Sequence, residues 1–137
     1  MSGTSILRKP FRYAFYNVSL VLIGVNVLVY LATSSNQGLV PLLSMNPELV
    51  VGYGFWWQAF TYQFVHGSFQ HLLGNMIGLL FFGLAVERRA GSREFLLFYL
   101  LCGTLSGLLS LGAYVATGTW GIYLMGASGA VFSVLLA

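Results

Sequence analysis

Four apolar runs divide the chain, and the polar positions that interrupt or bound them carry most of the information. From Asn17 to Thr33 the chain is mostly Val, Leu and Ile, with Asn26 the main polar interruption. Counted back to Ala14, the run reaches about 20 residues, enough to cross a hydrocarbon core as a helix. The pattern predicts a first span over about 17–33. A second span runs near Ser68–Val86, with Ser68 a favourable N-cap, and stops at Glu87-Arg88-Arg89. A third, from Phe95 to Val115, holds no charge. A fourth begins at Ser128 and reaches Ala137, the last residue. About ten helical residues cover about 15 Å, half of a membrane core. A helix stopping there leaves its final carbonyls unsatisfied in lipid. The expectation is an incomplete fourth span, part of a longer chain.

Between the first two spans, residues 34–67 contain Pro41, Pro47, Gly52 and Gly54 and a single charge, Glu48. This is not an ordinary polar loop. Phe55, Trp56, Trp57, Phe60, Tyr62 and Phe64 crowd its second half, and aromatic rings favour the membrane–water interface. A structured loop in or on the outer leaflet is expected. Residues 116–127 form a second, Gly-rich and uncharged connection.

Composition agrees with this pattern. The 137 residues are 58% hydrophobic and 7% charged, against about 25% charged in soluble domains. The fold class expected is an all-α integral membrane protein of one domain. The net charge of +3 does not indicate nucleic-acid binding. All six basic residues fall in two clusters, Arg8/Lys9/Arg12 in a short lead (1–16) and Arg88/Arg89/Arg93 after the second span. The positive-inside rule puts both on the cytoplasmic side and both connections outside. A competing reading makes the first run a signal peptide cleaved near Ala32-Thr33-Ser34; it leaves the next segment outside as well. Cys102, the only cysteine, lies in an apolar run and reads as a buried packing thiol. Gly74/Gly78 and Gly103/Gly107 have the spacing that lets membrane helices approach each other or a neighbour closely.

Polar residues at membrane depth are candidates for function. His71 and Asn75 are four apart, on one helix face. Both lie in the outer half of a span running inward. Ser128 starts another inward span, at similar depth, within Met125-Gly126-Ala127-Ser128-Gly129-Ala130. Two readings are open. Ser128 is a helix cap among packing glycines, and His71 and Asn75 bond across helices. Alternatively the three form a catalytic site. The chain has no Asp, which removes aspartyl chemistry, and His66 and His71 lack the intervening Glu and spacing of a zinc protease motif. A serine nucleophile with histidine remains, with His71 the candidate base on residues alone.

The stretch from Trp57 to Met76, WQAFTYQFVHGSFQHLLGNM, resembles the loop and second span of the rhomboid intramembrane serine proteases. Glu87-Arg88 and Gly126-Ala127-Ser128-Gly129 follow in that family's order and spacing. The resemblance covers the chain from about Gly24 onward. It implies a rhomboid-like helical bundle with four of an expected six spans present. It implies an intramembrane serine endopeptidase that cleaves transmembrane-helix proteins near the outer membrane face. Ser128 is then the nucleophile. His71 and Asn75, with the Ser128 amide, form the oxyanion hole, so His71 becomes a donor rather than the base. The resemblance places the base histidine on a sixth span, so the chain as it stands is expected to be inactive. It implies no cofactor and no metal. The expected location is a bacterial plasma membrane, with the N-terminus cytoplasmic. Departures from the family pattern are Gln58 where an Arg is usual, which removes a loop-ordering charge, and Phe132 where some members carry Tyr. His66 reads as structural. The alternatives are a catalytically inactive rhomboid-like protein that binds transmembrane clients, or a channel or transporter fragment. The latter expects more polar residues than Thr104, Ser106 and Ser110 in the third span.

Overall fold

A computed structural model describes residues 16–137; the basic lead, with Arg8, Lys9 and Arg12, lies outside the described residues. Three helical rods are long and apolar enough to cross a membrane: Val18–Ser35, Phe69–Ala90 and Ser92–Ala116. Helix α1 is Val18–Ser35. Three short helices follow, α2 (Leu39–Leu43), α3 (Pro47–Tyr53) and α4 (Gln58–Thr61), the last running into a 3₁₀ turn over Tyr62–Phe64. The second rod is α5 (Phe69–Gly78), a π-helical turn (Leu79–Gly83) and α6 (Leu84–Ala90). Helix α7 is Ser92–Ala116 and α8 is Ser128–Leu135. Among the described residues there is no β-strand, only an isolated antiparallel bridge between Met45 and Leu124.

The helices are inside out relative to a water-soluble bundle. Leu28, Phe81 and Leu109 are 67%, 68% and 76% exposed, whereas Ser19, Asn26, Gln58, Gln63, Glu87 and Ser92 are fully buried. Apolar surface on this scale is stable only against lipid. The chain is therefore an all-α integral membrane protein. Two polar side chains of α1 donate to their own helix, Asn26 Nδ2 to Leu22 O at 2.8 Å and Thr33 Oγ1 to Val29 O at 2.9 Å.

The sequence boundary at Glu87-Arg88-Arg89 proves to be a structural joint. Glu87 is fully buried. Its carboxylate accepts from Val18 N (2.7 Å), Ser19 N (2.9 Å), Ser19 Oγ (2.8 Å) and Ser92 Oγ (2.5 Å). A helix start has amide N–H groups with no intrahelical acceptor and a partial positive charge. Glu87 supplies both acceptor and counter-charge to the start of α1, and also ties in α7. The second and third rods thus extend past the expected spans, to Ala90 and back to Ser92.

The glycine pairs settle which neighbour comes close. An added Cβ at Gly78 lies 2.8 Å from Val131 Cγ1, and one at Gly103 lies 3.3 Å from the Ala130 Cβ and 2.0 Å from Gln63 Oε1. At Gly107 it lies 2.4 Å from Tyr62 Cε1. These glycines therefore admit α8 between α5 and α7, and let the 58–64 segment sink against α7. The main core is Leu22, Leu72, Met76, Leu79, Phe95, Tyr99, Ala127, Ala130 and Val134. Cys102 is only partly buried, where the sequence reading expected a buried thiol.

The long connection is folded tightly over one end of the bundle. Gln58 is fully buried; its Oε1 accepts from Asn46 N (3.0 Å) and its Nε2 donates to Pro41 O (2.9 Å). Trp57 Nε1 donates to Leu42 O (2.9 Å) and Thr61 Oγ1 to Leu43 O (2.7 Å). A neutral amide thus orders this loop without a charge. Asn46 caps α3 by accepting from Leu49 N (3.0 Å), and its Nδ2 donates to Ile122 O (3.0 Å). With the Met45–Leu124 pair, these bonds fasten the loop to the segment leading into α8.

Candidate active site

The site lies at the loop-bearing end. Ser68 caps α5, its Oγ accepting from His71 N at 3.2 Å. His71 therefore stands in the first turn, and Asn75 one turn further along the same face. Asn75 is buried, and its Nδ2 donates to His71 O at 3.0 Å. An amide nitrogen carries two N–H groups, so one remains for another acceptor. The His71 ring is half-buried and lies directly on the backbone of Gly126, whose added Cβ falls 2.5 Å from His71 Cε1 and 2.6 Å from Nε2. Gly126 has φ 115°, a conformation that an L side chain rarely adopts. Both the backbone angle and the ring contact require glycine.

Ser128 is not a cap. The N-cap of α8 is Ala127, without a side-chain cap bond, and Ser128 is the first helical residue. Its side chain is exposed, while Gly126 and Ala127 beside it are buried. The first intrahelical bond joins Val131 N to Ala127 O at 2.9 Å. The amide N–H groups of residues 128–130 thus have no intrahelical acceptor. Gly129 fits beneath the serine because an added Cβ would meet Ser106 Oγ on α7 at 2.3 Å.

His71, Asn75, Gly74 and Gly78 on one side and Val131, Phe132 and Leu135 on the other line a cavity of about 370 Å³. Ser128 is one helical turn before Val131 and Phe132, at the head of the α8 face that forms this wall. The structure therefore brings His71 and Asn75 together on one wall of a groove and sets Ser128 at the start of the facing wall. Its apolar lining suits a peptide segment; its polar groups gather at the serine end.

Two residues contribute more than the sequence suggested. Tyr62 O accepts from Gly126 N at 3.0 Å, and Tyr62 Oη donates to Gly103 O at 2.6 Å, linking the serine turn to α7. His66 is 4% exposed. Its Nε2 accepts from Ala127 N at 3.4 Å, its Nδ1 sits 3.3 Å from Phe64 O, and its ring meets that of His71 edge-on at 5.1 Å. Burial, and secondarily the nearby His71, push the His66 pKa down to about 4. The pattern His66-Gly67 indicated a structural residue; its bond across the chain to Ala127 has no local signature. Among the described residues no three His, Cys, Asp or Glu side chains converge as a metal site requires.

Residues 53–137 match the family model for the rhomboid domain. The chain is 36% identical to YdcA of Bacillus subtilis over 87 residues, covering 64% of this chain and 42% of that protein. It is 31% identical to rhomboid protease GluP of Bacillus subtilis, covering 93% of this chain and 24% of GluP. It is 30% identical to rhomboid protease GlpG of Salmonella newport, covering 98% of this chain and 48% of GlpG. The chain thus spans less than half the length of each of these relatives. The glycine-mounted serine turn lies within the matched segment, as do His71 and Asn75, and this chain belongs to the rhomboid family of intramembrane proteases.

Proposed function

We propose that the protein of which this chain forms the serine-bearing part is an intramembrane serine endopeptidase acting on transmembrane-helix proteins. The observation that carries this reading is the groove, with His71 and Asn75 on one wall and the exposed Ser128 heading the other. Ser128 Oγ attacks the substrate carbonyl carbon, and the carbonyl oxygen gains negative charge. The Ser128 amide, the free N–H of Asn75 and a ring N–H of His71 donate to that oxygen. The helix start adds its partial positive charge. One such donor is worth about 2.7–4 kcal/mol of transition-state stabilisation.

Neither histidine of the chain is free to act as base in this reading. His71 serves as donor, and both nitrogens of His66 are engaged. The proton acceptor for Ser128 is then supplied from outside these 137 residues, and the chain alone does not hydrolyse peptides. The cluster Arg88, Arg89 and Arg93 sits at the end of the rods opposite Ser128. By the positive-inside rule the serine end faces outward and the start of α1 faces the cytoplasm. Bacterial relatives favour the plasma membrane.

The test is cleavage of a fluorogenic transmembrane substrate by the protein carrying a complete rhomboid domain, reconstituted in vesicles. Ser128→Ala is expected to abolish cleavage, whereas His71→Ala is expected to lower kcat about 10²–10³-fold with little change in KM. Retained cleavage in Ser128→Ala refutes the reading and leaves client binding as the function. The 137-residue chain is expected to show no Ser128-dependent cleavage.

A further inference from the structure

We propose that His66 is a positioning residue of this site, holding the turn that presents Ser128 in register with the imidazole of His71. The inference rests on the reading above, in which Ser128 and His71 act on the substrate. His66 itself is buried behind them, against the His71 ring, and does not line the groove.

The hydrogen bonds select one form of the ring. Phe64 O accepts only, so the proton is on Nδ1. Nε2 then carries a lone pair, which is what the Ala127 N–H requires. Ala127 is the N-cap of α8, and its amide precedes that of Ser128. The turn hangs on two such bonds, Gly126 N to Tyr62 O and Ala127 N to His66 Nε2. Gly126 between them has no side chain of its own to resist rotation. The edge-on contact fixes the His71 ring from the same imidazole. A single side chain therefore sets the spacing between the loop carbonyl of Phe64, the amide before the serine and the His71 ring. Positioning on this scale matters chemically, because a displacement of about 1 Å costs about 10²-fold in rate.

The far side of His66 gives the arrangement a second edge. There it borders a cavity of about 420 Å³ lined by Tyr30, Thr33, Ser34 and Gln37, with Gly67 and Met125. His66 thus separates a polar recess on the α1 side from the His71 side. Its removal opens the back of the serine turn to that recess, where water competes for the Ala127 N–H.

The experiment uses the protein carrying a complete rhomboid domain in vesicles, with active serine counted by a fluorophosphonate probe. For His66→Ala, kcat per titrated serine is expected to fall about 10–100-fold with KM unchanged. His66→Gln offers an amide oxygen to Ala127 N–H and is expected to recover part of that loss. An unchanged kcat per serine overturns the proposal. So does a parallel fall of kcat, KM and unfolding temperature with Gln no better than Ala, because that pattern marks a purely structural role. Retained cleavage in Ser128→Ala removes the proposed function instead. A measurement on the unmutated protein carrying a complete rhomboid domain is independent of variant folding. The ¹⁵N shifts of His66 at pH 7 are expected to report the Nδ1–H tautomer, and the Nε2–H tautomer overturns the assignment.

Discussion

An alanine at position 126 meets two obstacles at once. The φ of 115° is foreign to an L residue, costing about 1–3 kcal/mol, and the methyl group falls within 2.6 Å of two His71 ring atoms. Gly126→Ala is expected to retain the helical circular dichroism spectrum and to lose most cleavage, because His71 must leave its place. His66 has a different signature. Its folded pKa of about 4 lies below the ordinary value near 6.5. Between those values the unfolded chain binds the proton and the folded chain does not, so its contribution to stability is complete above about pH 6.5 and is lost as pH falls toward 4. Unfolding in detergent across pH 4–7 is expected to show this slope, reduced in His66→Gln. The trio Ser128, His71 and Asn75 was legible as polar residues at matched membrane depth. Gly126 was not, because sequence shows neither a backbone angle nor the ring above it. The cap reading of Ser128 failed because the helix starts one residue earlier than a cap would require.

The rods owe their arrangement to contacts between residues far apart in sequence. A period-four glycine pair predicts close approach, but not to which partner. Gly107 turned out to receive the Tyr62 ring, from a loop whose aromatic residues read only as interfacial. Gly107→Val is expected to destabilise by about 1–3 kcal/mol through overpacking, measured as a lowered unfolding midpoint in detergent. Glu87 was legible as a boundary charge and not as a joint, since its partners Val18 and Ser19 lie 69 and 68 residues away. Glu87→Gln keeps the shape and loses the charge. It is expected to destabilise by about 2–3 kcal/mol, the scale of hydrogen bonds to an ionised group. The widened π-helical turn over Leu79–Gly83 has no marker in the sequence that distinguishes it from the α-helix around it.

At the scale of the molecule, membrane residence was the plainest message of the sequence, because so few charges leave little choice of solvent. The three long rods and the interior polar joints follow from that. The groove between α5 and α8 did not, since it depends on a glycine placed where nothing fills the space. Gly74 lines the groove and an added Cβ there meets nothing within 4 Å. Gly74→Leu is expected to leave the unfolding midpoint unchanged and to raise KM for transmembrane substrates by occupying the groove; an unaltered KM would show that substrate lies elsewhere.

The paired bonds between Met45 and Leu124, at 3.0 and 2.8 Å, join the connection between α1 and α5 to the connection between α7 and α8. With Gly126 N on Tyr62 O, they make the loop over residues 34–67 and the serine turn one cooperative unit. Local opening that frees one of these amides must free the others. In hydrogen–deuterium exchange the amides of Met45, Leu124 and Gly126 are therefore expected to exchange together with one opening free energy. The unit that opens is the floor on which Ser128 stands, so the rate of that opening sets how long the site persists once assembled.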